Sequence, residues 1–541
     1  MAASLFGSMA SFRSPAMYCK QCHTIFLYRT KIEMYTSRCM STIAKNKTKM
    51  DESIREFLQT SPHRKHPGLV RPKTIILPEN LQKALQFVFK EYSGRELAEK
   101  SKALVNYLWS RKRPVEDSEV RRTAMAMAKQ LGIQDDALED TGELSVKESQ
   151  DVKKKRKRVA RELRKKMYHW KAIQYTKEMS YIYAAGRMAA NYSAIYRIFH
   201  EIKKRNPDFK PKLLLDFGSG VGTTVWAANT IWENSFREIM CVDVSSDMND
   251  FAKLLLKGGK DQGVMTFKGV FFRQYLPVSA LNTFDIIVSA YTLMEMSSQK
   301  ERVNAIQTLW RKTEHFLVIV ENGTNEGYKI ILEARDLILH GERFLKLKQK
   351  DLIKERPQEA SAEIPSLEEQ EQPNDVEQAS LYTYQESDLP EGHVFSPCPH
   401  HLQCPRSTDG TNTPCNFEQE YESPKLLSNS PKQQKEKFSY IVFRKAKRKE
   451  DLSDSHWPRI VRPVVRKSNH IHCHICCANG QLEHAVVTAS KHGKDLFYCA
   501  RYARWGDRLP AYTPDDDESD SDRINDTNGG TGSDRKESKS A

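Results

Sequence analysis

Long apolar runs are missing from this 541-residue chain: no stretch approaches the eighteen consecutive apolar residues that would predict a membrane-spanning helix. Acid is nearly missing from the first fifty residues, where Glu33 alone opposes Arg13, Lys20, Arg29, Lys31, Arg38, Lys45, Lys47 and Lys49. Lys and Arg are missing altogether between Arg356 and Arg406. Hydrophobic residues, at 39%, are too few for a chain folded from end to end, so these biased stretches are expected to lie outside the packed domains.

Each shortage has a reading. A basic, serine-rich, acid-poor start is the pattern of a mitochondrial transit peptide and, without an uninterrupted apolar core, fits a secretory signal less well, so residues 1–40 are expected to be removed on entry to the matrix. Eleven cysteines in that reducing compartment point to metal ligation or free thiols rather than disulfides. A net charge of +15 calls for an anionic partner, and nucleic acid is the commonest, because Lys and Arg displace counterions from phosphate.

Residues 52–205 read as a basic helical domain, with Leu81, Leu85 and Val88, then Leu97, Leu104 and Leu108, at helical spacing. Ten cations fall within fourteen positions from Lys153 to Lys166. On a helix such a run cannot be confined to one face and repels itself at i,i+4, so an RNA phosphate contact is expected there. From residue 206 to about 345 the period changes to alternating strands and helices. Short apolar strands are expected at Leu213–Phe217, Ile239–Val244, Val270–Tyr275, Phe284–Ala290 and Phe316–Glu321, with a late strand within 436–446. The fold class is therefore α/β: a class I, S-adenosylmethionine-type Rossmann domain behind an N-terminal helical domain. Residues 346–390 read as a disordered acidic insertion and 391–420 as a cysteine metal-binding loop. Residues 456–512 read as a small C-terminal cysteine-containing β module, and 513–541 as a disordered tail.

Asp216-Phe217-Gly218-Ser219-Gly220-Val221-Gly222 closes the first strand of that domain, and Asp243 ends the next. Glycines let the chain turn tightly against a ligand, and a carboxylate at that spacing suits the hydroxyls of a ribose. Thr223 stands where a dinucleotide fold wants its next glycine, which favours S-adenosylmethionine over NAD. The fourth strand runs into Tyr291-Thr292-Leu293-Met294-Glu295 without an Asn/Asp-Pro-Pro-aromatic cluster or a Pro-Cys pair, so no catalytic residue is legible. Tyr291 and Glu295 are expected to pack rather than to react.

Cys398, Cys404 and Cys415 cluster in a proline-bearing loop and want a fourth ligand. The candidates are His400, His401, Cys473, Cys476, Cys477 and Cys499. Asn479-Gly480 signals a type I′ hairpin preceded by a strand, on which Cys473 and Cys477 share the apolar face with Ile471 and Ile475. Cys476 faces the other way and is the expected ligand. A four-thiolate set favours a [4Fe–4S] cluster; structural zinc is the alternative, since Cys473-x-x-Cys476 also has zinc spacing.

The glycine loop, Glu321-Asn322-Gly323-Thr324, Cys398-Pro399-His400 with Cys404-Pro405, Lys437-Phe438-Ser439-Tyr440 and Trp505-Gly506-Asp507 together resemble a methyltransferase-like family of the mitochondrial small ribosomal subunit with animal and yeast members, over about residues 80–510. The resemblance implies an assembly factor, needed for mitochondrial translation, that binds the small subunit and its rRNA as a monomer. It also implies a [4Fe–4S] cluster on Cys398, Cys404, Cys415 and Cys476. An active S-adenosylmethionine-dependent rRNA methyltransferase is the alternative, motivated by the glycine loop and Asp243.

Overall fold

The computed structural model describes residues 48–90, 92–114, 117–131, 154–161, 172–277, 282–354, 389–424, 432–448 and 456–512. The expected transit peptide, the tail, residues 355–388 of the insertion and the end of the basic run lie outside them.

Strand β1 (Lys49–Met50) pairs antiparallel with Ala511–Tyr512, and strands β2 (Leu213–Phe217), β3 (Glu238–Val242), β4 (Val270–Arg273), β5 (Phe284–Ala290) and β6 (Thr313–Asn322) form a parallel sheet in the order β4-β3-β2-β5-β6. β9 (Gln433–Arg444) adds antiparallel to β6, and β7 (His393–Ser396) and β8 (Phe417–Glu422) both pair with β9. Parallel strands need helical crossovers, so helices cover both faces and the strands are apolar on both sides. Leu214, Val288 and Val318 point into one core, while Leu215, Ile287 and Ile319 point into the other. The first face is covered by the helices Lys177–Arg205 and Thr223–Ile231; the second by Gln299–Lys312 and Asn325–Lys354.

Helix Lys177–Arg205 starts at Thr176, whose hydroxyl accepts from the Met179 N–H, and it is buried over most of its 29 residues. Residues 172–176 ahead of it are not helical, so the helical domain expected over 52–205 is interrupted there. The helices Glu79–Val88 and Gly94–Ser110 place Leu81, Leu85, Leu97 and Leu104 in the same core as the sheet. The N-terminal helices are present as expected, but 205/206 is not a packing boundary. Helix Asn325–Lys354 likewise runs past the expected edge of the insertion at residue 346, with a kink at His340.

The C-terminal module has a core of its own, in which Ile460, Ile471, Cys473, Ile475, Val487 and Leu496 meet. Its central strand β12 (His470–Cys476) pairs with β10 (Arg459–Ile460), β11 (Val465–Arg466) and β13 (Leu482–Thr488). The module also contains a helix, Ala489–Tyr502, that the β reading missed. The Asn479-Gly480 turn departs from type I′ as well. Only Gly480 has positive φ, and Cys476 pairs with Leu482 across a five-residue loop closed by the Cys477 N–H on the Gln481 carbonyl.

A buried polar node joins module to sheet. Glu201, in helix Lys177–Arg205, takes two bonds from Arg459, at 2.6 and 3.2 Å. It also accepts from the Ser396 hydroxyl at 3.0 Å and the Tyr440 hydroxyl at 3.3 Å. Arg459 spends its remaining donors on the carbonyls of Pro397 and Gly506 and on the Ser396 hydroxyl. Asp507 ties down the other end of the chain, accepting from the backbone N–H groups of Val70, Arg71 and Arg504. Gly506 is required between them: at φ +92° a side chain there would strike the Arg197 guanidinium.

Burial pushes the Glu201 carboxyl up, but Arg459 and Arg205 outweigh it and hold the group at about 2, below its ordinary 4.5. A depressed carboxyl stabilises the fold above the unfolded value, and that stability is lost as pH falls through the folded one. Glu201→Gln leaves Arg459 buried without a counter-charge and should cost about 3–5 kcal/mol in urea unfolding at neutral pH. It should also flatten the stability profile between pH 4.5 and 2. A loss under about 1 kcal/mol would mean that the node is not a structural anchor.

Candidate functional site

The glycine loop follows β2 and opens helix Thr223–Ile231, with Gly218, Gly220 and Gly222 all at positive φ. A side chain at Gly218 would collide with Thr292, whereas one at Gly220 would meet nothing within 4 Å, so Gly220 faces open space. Asp243 accepts from the Gly220 N–H at 2.8 Å and the Ser245 N–H at 2.9 Å, which closes the loop onto the end of β3. Beneath it, Asp216 accepts from the Thr224 hydroxyl with one oxygen, while the other is buried without a partner. Burial raises the Asp216 carboxyl to about 7. Val244, next to Asp243, is 78% exposed and offers an apolar platform that sequence reasoning passed over. An orphaned acid, an open glycine and an exposed apolar residue fit a nucleoside carrying an ammonium group.

The mouth beyond the loop is closed. Tyr291, at a φ of +59° unusual for a side-chain-bearing residue, donates to Glu436 and lies under the Arg187 guanidinium, which itself pairs with Glu436 at 2.7 Å. Glu295 receives Arg111 at 2.5 Å and the Tyr175 hydroxyl at 3.1 Å. Between Arg111, Tyr175, Tyr183, Tyr291 and Glu295 a cavity of about 10 Å³ is left, room for one water at most. Tyr291 and Glu295 therefore line the mouth and also fill it, as their packing reading expected.

The candidate cysteines lie in the β7–β8 loop and in the C-terminal module. Cys398, Cys404 and Cys415 lie between β7 and β8, whose strands take up both ends of the expected loop 391–420. Cys476 projects from β12 on the side away from the module core, where its Sγ meets His400 Nε2 at 3.4 Å; Cys473 and Cys477 lie in that core. Burial comes first in raising the Cys415 and Cys476 thiols well above the ordinary range, and the charges of the other cysteines in this group add to it. The four sulfurs thus share one electrostatic environment. Arg335 and Arg459 act in the opposite direction on Cys398, as Arg406 and Arg459 do on Cys415. Among the described residues no three His, Cys, Asp or Glu side chains close on a single ion.

Helix Asn325–Lys354 supplies two residues that no sequence signal marked. The Tyr328 hydroxyl meets Cys404 Sγ at 3.2 Å, and the Arg335 guanidinium reaches the His400 carbonyl at 3.3 Å. They are seven residues apart, two helical turns on one face. Part of the basic run forms a helix over 154–161, whose Val159 packs on Ala128 while Lys154, Lys157, Arg158 and Arg161 are exposed.

The family model for the mitochondrial small ribosomal subunit protein Rsm22 matches residues 177–348 and 383–510. The human protein named "Ribosome assembly protein METTL17, mitochondrial" is 40% identical over 478 residues, 88% of this chain and 92% of that protein. The Saccharomyces cerevisiae "Ribosome assembly protein RSM22, mitochondrial" is 22% identical over 421 residues, 59% of this chain and 64% of that one. Among solved structures, the plantazolicin methyltransferase BpumL is 10% identical and covers 50% of this chain, with a TM-score of 0.25. With the model matching both the sheet and the cysteine-bearing C-terminal part, the chain belongs to the mitochondrial small ribosomal subunit Rsm22 family.

Proposed function

We propose that the chain is a mitochondrial ribosome assembly factor that works in the matrix, binds the small subunit through its rRNA, and is ordered by a [4Fe–4S] cluster on Cys398, Cys404, Cys415 and Cys476. The observation that carries the reading is the four-thiol environment shared by the β7–β8 loop and the C-terminal module, in a chain whose relatives are named as ribosome assembly proteins. Four sulfur donors ringed by Arg335, Arg406 and Arg459 suit an anionic cluster. Structural zinc on the same thiols is the alternative. Once bound, the cluster would supply covalent cross-links between loop and module; Tyr328 and His400 would orient Cys404 and Cys476, and Arg335 would offset charge on Cys398. The exposed cations of helix 154–161 and the overall +15 charge support a phosphate backbone as partner.

S-adenosylmethionine fits the loop formed by Asp216, Gly218, Gly220, Gly222 and Asp243, and would supply an activated methyl group there. The 10 Å³ mouth leaves no room for an acceptor base, which favours assembly over methyl transfer. The intact loop is what keeps the rRNA methyltransferase reading as the alternative. Transfer of a labelled methyl group to small-subunit rRNA by the purified chain would establish that alternative.

Two outcomes follow. Cys476→Ser, purified without air, should lose brown visible absorption and small-subunit association, whereas Cys473→Ser keeps both. Colourless protein with stoichiometric zinc would overturn the cluster, and equal loss in both variants would overturn the choice of Cys476. At the loop, an ammonium-bearing ligand binds the ionised form of Asp216, so binding releases a proton below about pH 7. S-adenosylmethionine affinity measured by calorimetry should therefore rise about tenfold between about pH 6 and 8, and Asp216→Asn should remove that dependence. A flat profile in the unaltered protein would mean that Asp216 does not face the ligand.

A further inference from the structure

A second cleft, of about 500 Å³, opens on the C-terminal module, lined by no residue of the glycine loop and by none of the cysteines. One wall comes from Arg71 and from the β8–β9 hairpin, and its charges are paired internally. Arg71 meets Glu420 at 3.4 Å, and Lys435 lies between Glu418 at 3.4 Å and Glu420 at 3.9 Å. The facing wall carries Arg466, Arg501 and Arg504, all exposed. The bonds that Arg466 makes go to the carbonyls of Arg501 and Ala503, and that of Arg501 to the carbonyl of Lys467. Carbonyls orient a guanidinium without neutralising it. Burial, then the charges of Arg504 and Arg501, pull the Arg466 pKa down, so three cations converge here at mutual cost.

Trp505 and Tyr502 also line the cleft, the latter 46% exposed, beside Pro463 and Val464. The Trp505 indole N–H and the Arg71 Nε–H are buried without a partner. The cleft thus joins planar cationic forks, which match phosphate oxygens, to aromatic faces, which take a base. It is too small for a duplex. We infer that the cleft receives one unpaired nucleotide of a bound RNA, its phosphate on Arg466, Arg501 and Arg504 and its base against Tyr502 and Trp505. The inference rests on the reading that the chain binds RNA and assigns that RNA a single-stranded contact. The Gly506 and Asp507 bonds that hold the Arg504–Trp505 turn keep this wall rigid.

The test is anisotropy of a labelled oligouridylate with the full chain, across a salt series. The combined Arg466→Gln, Arg501→Gln, Arg504→Gln variant should reduce the magnitude of the log–log salt slope by about 2 and weaken binding about 50-fold near 0.15 M salt. Tyr502→Ala should weaken binding about tenfold and should have no effect on an abasic strand of equal charge. If the triple variant loses thermal stability, Arg504→Gln alone should still lower the slope by about 0.7. Unchanged slopes in folded variants would overturn the cleft while leaving RNA binding elsewhere intact. Failure of the unaltered chain to bind any RNA strand would overturn both readings. An oligoglutamate peptide that competes as well as the RNA, with the Tyr502→Ala loss persisting on the abasic strand, would make the cleft a peptide site and overturn the nucleotide.

Discussion

The buried Glu201 carboxylate is the constraint on which the arrangement of the parts depends. The sheet and the C-terminal module have separate apolar cores. Glu201 lies between them and accepts five hydrogen bonds: two from Arg459 of the module, one from Ser396 at the head of the cysteine loop, one from Tyr440 of β9 and one from Arg205 of its own helix. A charge in that position is tolerable only while every partner stays. If the module departs, Glu201 keeps only Arg205 at 3.4 Å and loses the closer cation, and the Ser396–Pro397 turn loses the guanidinium that fixes it. The first thiol, Cys398, is two residues beyond Ser396, so the same node sets where the cysteine loop begins.

The thiol group and the ion pair therefore reinforce one another. Burial raises the Cys398 and Cys415 thiols, and Arg459 sits close enough to oppose that shift while it neutralises Glu201. One guanidinium thus serves the fold and the donor set together. A metal site built across such a joint gains affinity from the existing interface and returns it as rigidity of the module. The nucleoside loop stands apart: Asp216 and Gly220 are poised on one side, but Arg111 and Glu295 occupy the path outward. The open glycine loop and the filled mouth thus lie side by side in one frame.

Much of the frame was legible because its strands are buried on both faces and read as short apolar blocks. Leu213–Phe217 and Phe284–Ala290 have the bounds that their residues predicted. Period-two alternation was enough to put Cys473 in the core and Cys476 on the opposite face. The turn before β13 was misread because Asn479-Gly480 signals a tight hairpin, whereas Gly480 alone takes the left-handed conformation. The helix Ala489–Tyr502 was missed where Gly493 breaks its pattern. The node itself could not be read. Glu201 looks like one more polar position on a helix, and its cation lies 258 residues away. Arg111, Tyr328 and Arg335 were invisible for the same reason, since periodicity marks buried apolar faces and not buried pairs. Trp505-Gly506-Asp507 carried the resemblance, and its structural meaning is a backbone clamp on Val70 and Arg71.

If ligation at the four thiols orders the module against the sheet, hydrogen exchange should see it directly. Amide exchange compared between iron-loaded protein and protein stripped of iron without air should show strong slowing in β12 and in the β7–β8 loop on loading. The parallel strands β2 and β5 should exchange equally in both samples. Identical exchange in β12 and the loop, with iron present in one sample and absent in the other, would contradict the account.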